Sequence, residues 1–285
     1  MSSGYELETA TVGGIPVLTL APAGAERAPA VFFICGYGGA KEAGLSLGYQ
    51  LAQAGFFFVA FDPLYHGARY DPRLDRAAEP ALGGIYPPAT GLDIGVTFFR
   101  VIAQCLADVQ ALRAHYADDP RVDIAHCGVT GLSLGGYASF LVFANVPEMQ
   151  AAVPMIGIPS FTRRWLDLLD ECAFSNADWA AALARVAEQT REQTAFIRGI
   201  DPLEKLAAAA PRALLIMNCD FDADQPKLYS LYAYRDLLPR YAAQPENLKL
   251  NIYPAGHTVT REMERDAVAW FARHLRQDYG RLRIA

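Results

Sequence analysis

The chain has 285 residues, which at about 100–200 residues per domain makes one large domain or two small ones. It is 52% hydrophobic and 20% charged, so it can bury a sizeable core and is not a disordered chain. Lys and Arg number 25 against 31 Asp and Glu, a balance that gives no support to nucleic-acid or anionic-membrane binding through bulk charge.

The N-terminus MSSGYELETA lacks the basic start and apolar stretch of a secretory signal. No apolar run approaches the roughly 18 residues of a membrane-spanning helix. Leu7–Val12 and Ile15–Leu20 read as two strands joined at Gly13-Gly14, a pair suited to a tight hairpin because glycine tolerates positive φ. After the linker APAGAERAP come short runs that are apolar on both sides: VFFIC (31–35), FFFVAF (56–61), CGVTG (127–131), AAVPMIG (151–157), RALLIMN (212–218) and LKLNIY (248–253). Such runs are expected in a parallel sheet with both faces covered by helices. Helical period supplies the covers. Phe98, Ile102, Cys105, Val109 and Leu112 mark one stripe, and Met263, Ala267, Trp270/Phe271 and Leu275 another, on a C-terminal helix that serves as core or as a dimer face. The pattern indicates an open, doubly wound α/β sheet in one domain spanning 1–285.

Two segments depart from the alternation. Residues 66–97 are rich in Pro and Gly and read as too irregular for a helix. Residues 160–206 carry Phe161, Trp165, Phe174, Trp179 and Phe196 on amphipathic helical stretches and read as a helical cap or lid insertion. The five cysteines, Cys35, Cys105, Cys127, Cys172 and Cys219, show no CxxC or ligand-like pairing, as expected of buried thiols in a reducing cytoplasm.

The strongest chemical signal is Gly131-Leu132-Ser133-Leu134-Gly135-Gly136, which follows an apolar strand and precedes a small-residue helix start. Glycines on either side let the backbone turn sharply so that the serine hydroxyl stands clear at the strand end. The N–H groups of the helix behind it can stabilise an oxyanion. A serine needs a base and a group to orient that base. His257, in IYPAGHTVT after the last strand, lies at the same edge of a parallel sheet. His115 and His274 fall on helices, His126 precedes a strand, and the loop of His66 is assigned to a different part of the edge. For the acid, LLIMNCDFDADQP offers Asp220, Asp222 and Asp224, any one of which could accept the imidazole Nδ1–H.

On these residues, with VFFICGYGGAKE, FDPLYHGAR, RVDIAHCGVTGLSLGGYAS, NCDFDADQP and YPAGHT, the chain resembles α/β-hydrolase-fold serine hydrolases over about residues 30–275. Within them it looks most like the dienelactone hydrolase-like and prolyl-oligopeptidase-like esterase branch. The resemblance implies a mostly parallel central sheet flanked by helices with a helical cap insertion. Alignment on Pro226 makes Asp222 the acid, with Asp220 and Asp224 as fallbacks. It also implies an oxyanion hole from the N–H groups of Tyr37 and Leu134, although Cys35-Gly36-Tyr37 stands where the family usually has His-Gly-x. The expected activity is hydrolysis of a small to medium carboxylic ester through an acyl-enzyme. Acyl transfer, thioester hydrolysis and carbon–carbon-bond hydrolysis use the same triad, and a non-catalytic ligand-binding member is the contrasting class. The expected partner is a small-molecule ester or acyl substrate, with no nucleic acid, no membrane, no metal and no cofactor. Trp165 and Phe161 are the expected pocket residues, and Arg163-Arg164 either meets a substrate carboxylate or pairs with neighbouring acids.

Overall fold

The computed structural model describes residues 4–70, 90–174 and 190–276, with isolated positions between 175 and 189. Trp179 and residues 71–89, on which part of the sequence reading falls, lie outside the described residues.

The hairpin forms as its glycines require. β1 (Tyr5–Val12) pairs antiparallel with β2 (Ile15–Pro22), and Gly13 and Gly14 take φ of +55° and +82°. The two-sided apolar runs become β3 (Ala28–Ile34), β4 (Phe57–Phe61), β5 (Val122–Leu132), β6 (Met149–Met155), β7 (Ala213–Cys219) and β8 (Leu248–Tyr253). The eight strands form one sheet in the order β1-β2-β4-β3-β5-β6-β7-β8, parallel from β4 onward. β5 starts five residues before the apolar run that announces it, so His126 lies within the strand, 2.8 Å from Asp123.

One apolar layer fills each face of the sheet. On one side lie α1 (Leu45–Gln53) and the C-terminal helix α8 (Arg261–Leu275); on the other lie α2 (Thr90–Tyr116) and α3 (Leu134–Asn145). Met263, Ala267, Trp270, Phe271 and Leu275 all face inward. Burying Phe271 completely contributes about 1.5–3 kcal/mol. Gly128 makes room for that ring, since a Cβ there would lie 2.6 Å from Phe271 Cε1. α2 buries Ile102, Cys105, Val109 and Leu112 but begins at Thr90, so the stretch 90–97 is helical where irregular chain was expected. Its glycines, Gly91 and Gly95, weaken local propensity, and tertiary docking of the long helix overrides that weakness.

Between β6 and β7 the chain runs through α4 (Phe161–Phe174), α5 (Arg191–Ile200) and α6 (Leu203–Ala209), followed after β7 by α7 (Lys227–Leu237). Among the described residues no helix is long and apolar enough to cross a membrane.

His274 on α8 stacks on Trp270 at 4.3 Å, and its Nε2 is buried without a partner. Burial, with Arg273 adding and Glu246 opposing, pushes its pKa down from 6.5 to about 4. The unfolded chain therefore takes up a proton that the folded chain refuses, and stability falls as pH drops from 6.5 toward about 4. Because the ring is partly exposed, the loss is on the order of 1–2 kcal/mol. Urea titrations at pH 7.5 and 5 should show it, and His274→Gln should lose less stability over the same interval.

Candidate active site

The C-terminal ends of β5, β7 and β8 lie on one edge, with β6 between β5 and β7, and that edge collects the chemistry. β5 stops at Leu132 and α3 starts at Leu134, leaving Ser133 alone to turn the chain, at φ +53° and ψ −112°. A non-glycine residue there stores about 1–3 kcal/mol of strain. The surrounding glycines make the turn physically possible. A Cβ on Gly135 would sit 1.9 Å from the Ile34 carbonyl oxygen, one on Gly131 2.5 Å from the same oxygen, and one on Gly136 2.4 Å from the Met155 carbonyl. The turn is further held by the Ser133 N–H donating to the Met155 carbonyl at 3.0 Å.

His257 comes from the loop after β8. That loop is pinned to the one after β7: the Asp220 N–H donates to the Tyr253 carbonyl at 2.9 Å and the Phe221 N–H to the Ala255 carbonyl at 3.0 Å. The structure brings Ser133, Asp222 and His257 together. His257 Nδ1 lies 2.8 Å from Asp222 Oδ2, and Nε2 lies 3.0 Å from Ser133 Oγ. An ionised carboxylate only accepts, so Nδ1 carries the proton and Nε2 presents its lone pair to the serine hydroxyl. Asp222 is 6% exposed, and its second oxygen accepts the N–H groups of Asp224 at 3.0 Å and Gln225 at 2.9 Å. Asp220 pairs with Lys227 instead, and Asp224 is exposed. Tyr137, fully buried on α3, donates its hydroxyl to Gln225 Oε1 at 2.6 Å, linking the helix behind the serine to the carboxylate loop.

Leu134 is the first residue of α3, where an N–H has no intrahelical acceptor. Tyr37 follows the end of β3, the strand beside β5. Gly36 sits against Leu132 so closely that a Cβ would meet its Cδ1 at 2.6 Å. Thus the Tyr37 and Leu134 segments flank Ser133 from neighbouring strands. Burial, with Asp62 adding, pushes the Cys35 thiol up to about 12; burial, with Asp222 adding, pushes Cys219 up to about 11. Neither thiol forms a thiolate near neutrality that could rival the serine.

Two expectations need correction. Phe161 and Trp165 do not line an open pocket: both are essentially inaccessible, packed with Phe99, and Trp165 Nε1 donates to Thr194 Oγ1 at 2.8 Å. With Leu169 they form the inward stripe of α4 at four-residue steps, so their apolar surface holds that helix to the body. His66 is not remote: β4 lies next to β3, and the His66 ring meets Tyr37 at 5.4 Å. Arg163 pairs with Asp167 and Arg164 with Glu171, the pairing alternative for those arginines. A groove of about 460 Å³ runs between α4 and α7, lined among others by Ser160, Arg163, Leu228 and Tyr232, and none of Ser133, Asp222 and His257 lines it. Among the described residues, ligand-type atoms cluster tightly enough for a metal at Asp222, Asp224 and His257. There Asp222 already accepts three hydrogen bonds.

A mostly parallel eight-stranded sheet with helices on both faces, and a serine on a strained strand-to-helix turn, define an α/β-hydrolase fold. The chain belongs to the dienelactone hydrolase family, whose sequence pattern matches residues 15–172, more than half its length. It is 25% identical over 273 residues to a Bacillus subtilis (strain 168) protein named "Putative esterase YitV", covering 95% of this chain and 99% of that one. Solved structures that share the fold include the following two. TT1662 from Thermus thermophilus has a TM-score of 0.65 at 20% identity, covering 95% of this chain and 98% of that one. An acetyl xylan esterase from Paenibacillus sp. R4 has a TM-score of 0.64 at 16% identity, covering 96% and 90%.

Proposed function

We propose that the chain is a serine hydrolase that cleaves a carboxylic ester with a small to medium acyl or alcohol group. The observation that carries this reading is the hydrogen-bonded line Asp222–His257–Ser133, at 2.8 and 3.0 Å, ending on a serine held at positive φ. His257 Nε2 takes the Ser133 proton as Oγ attacks the ester carbonyl, and Asp222 stabilises the imidazolium that forms. The N–H groups of Leu134 and Tyr37 receive the negative charge on the former carbonyl oxygen. The tetrahedral species collapses as His257 gives its proton to the leaving alcohol, which leaves an acyl-Ser133. Water then attacks with His257 again as base, releasing the acid and restoring the serine. These groups complete the reaction with no step left for a cofactor.

The cap of this reading draws on α4, α5 and α6, with α4 anchored to the body by Phe161 and Trp165. The rings of Tyr37 and Phe98, 6.2 Å apart, border the acyl group in place of Phe161 and Trp165.

Hydrolysis of p-nitrophenyl esters of increasing acyl length tests the reading. The expected result is a rate that peaks at a short or medium acyl chain and is absent in Ser133→Ala. Equal rates in the two proteins at every length would remove Ser133 from the chemistry.

A further inference from the structure

The carboxylate of Asp62 is wholly inaccessible to solvent, and the triad does not use it. It stands one residue after β4 and accepts three hydrogen bonds. The Lys41 main-chain N–H donates to Oδ1 at 2.8 Å, Lys41 Nζ donates to Oδ2 at 3.0 Å, and the Ala68 N–H donates to Oδ2 at 2.9 Å. A buried carboxylate is tolerated only when its acceptor sites are filled in this way. The chain makes further concessions to it. Gly67 adopts φ +50° against the carboxylate, where a Cβ would lie 2.2 Å from Oδ1. Arg69 donates to the Asp62 carbonyl at 3.2 Å and to Asp108 of α2 at 2.5 Å.

The segments that meet at this carboxylate are the two that bracket Tyr37. From β3 the chain passes through Gly36, Tyr37, Gly38 at φ +73° and Gly39, whose N–H donates to the Gly36 carbonyl at 3.0 Å, and reaches Lys41 four residues beyond Tyr37. From β4 it passes Asp62 and reaches His66, whose ring packs edge-on against Tyr37 at 5.4 Å. Asp62 thus clamps the far end of the loop bearing the Tyr37 N–H and shapes the loop that braces the Tyr37 ring.

We infer that Asp62 is a positioning residue for the oxyanion site, holding the Tyr37 loop at the height the transition state requires through Lys41 and the 62–70 turn. The inference rests on the serine-hydrolase reading above and assigns the regulation of its oxyanion donor. An N–H displaced by a fraction of an ångström still admits substrate but stabilises the developing oxyanion less, so the loss belongs to kcat and not to KM.

Asp62→Asn keeps the volume but puts an NH2 where an oxygen accepted, so the three donors cannot all be met. The expected result is kcat per active site, titrated by the ester burst, lowered roughly 10- to 100-fold, with KM changed by less than about threefold. Phosphonylation of Ser133 by a fluorophosphonate should slow by a similar factor. Lys41→Met, which keeps the main-chain bond and removes only the ammonium, should lower kcat by roughly 3- to 10-fold and decides the matter if Asp62→Asn does not fold. A merely structural role would reduce the number of titratable sites and leave turnover per site unchanged. Wild-type turnover per site in either folded variant, or an effect on KM alone, would overturn the inference while leaving the hydrolase reading intact. Failure of the wild type to label at Ser133 would overturn both.

Discussion

Ser133→Ala and His257→Ala are each expected to lower kcat/KM for the best p-nitrophenyl ester by about 10⁴- to 10⁶-fold, and the double variant by no more than the worse single. The reason is geometric. His257 Nε2 lies 3.0 Å from Ser133 Oγ and is the base of the proposed mechanism, so in that mechanism either truncation removes the proton transfer as a whole. Asp222→Asn should cost about 10⁴-fold, because an amide at Oδ2 turns the imidazole to the wrong tautomer. Asp220→Asn and Asp224→Asn should remain close to wild type, since Asp220 pairs with Lys227 and Asp224 is exposed. Losses from these two comparable with that of Asp222→Asn would mean the wrong carboxylate has been placed behind the histidine. Circular dichroism on every variant separates lost chemistry from lost fold.

The second large effect concerns the backbone. Gly135→Ala should destabilise the protein by about 3 kcal/mol or more, because the added methyl would fall 1.9 Å from the Ile34 carbonyl oxygen and 2.6 Å from its carbon. Both obstacles are main chain of a central strand and cannot rotate away. Relief requires α3 to move from β3, which also carries the Leu134 N–H away from Ser133. Gly199→Ala is the control. That glycine lies within α5 with nothing within 4 Å of the added Cβ, so the change should be neutral or stabilising by up to about 1 kcal/mol. Thermal denaturation of the pair measures both. A Gly135→Ala protein as stable and as active as wild type would contradict the close packing described for the turn.

Much of the fold was legible because its signal is redundant. A strand buried on both faces cannot alternate, and β3, β4 and β7 carry apolar runs that no exposed strand would tolerate. Legibility ended where polar residues enter a regular element. The first part of β5 carries Asp123 and His126, which satisfy each other, and this hid the start of the strand. Gly91 and Gly95 hid the first turns of α2 in the same way.

The candidate site was legible in its order along the chain, Ser133 then an acid then His257, because each follows a strand that parallel topology delivers to one edge. The choice among Asp220, Asp222 and Asp224 was not legible from residue type, since three identical carboxylates at alternate positions differ only in where the loop turns them. The position of His66 depended on strand order: β4 and β5 both border β3, and no local pattern announces that adjacency. Phe161 and Trp165 misled for a related reason, since an amphipathic stripe looks the same whether it faces a ligand or a core.

The most direct test of the central claim is to treat the protein with a fluorophosphonate and map the modified peptide by mass spectrometry. A single adduct on Ser133 is expected, absent in Ser133→Ala and strongly slowed in His257→Ala. An adduct on another residue, or equal labelling of wild type and Ser133→Ala, would contradict it.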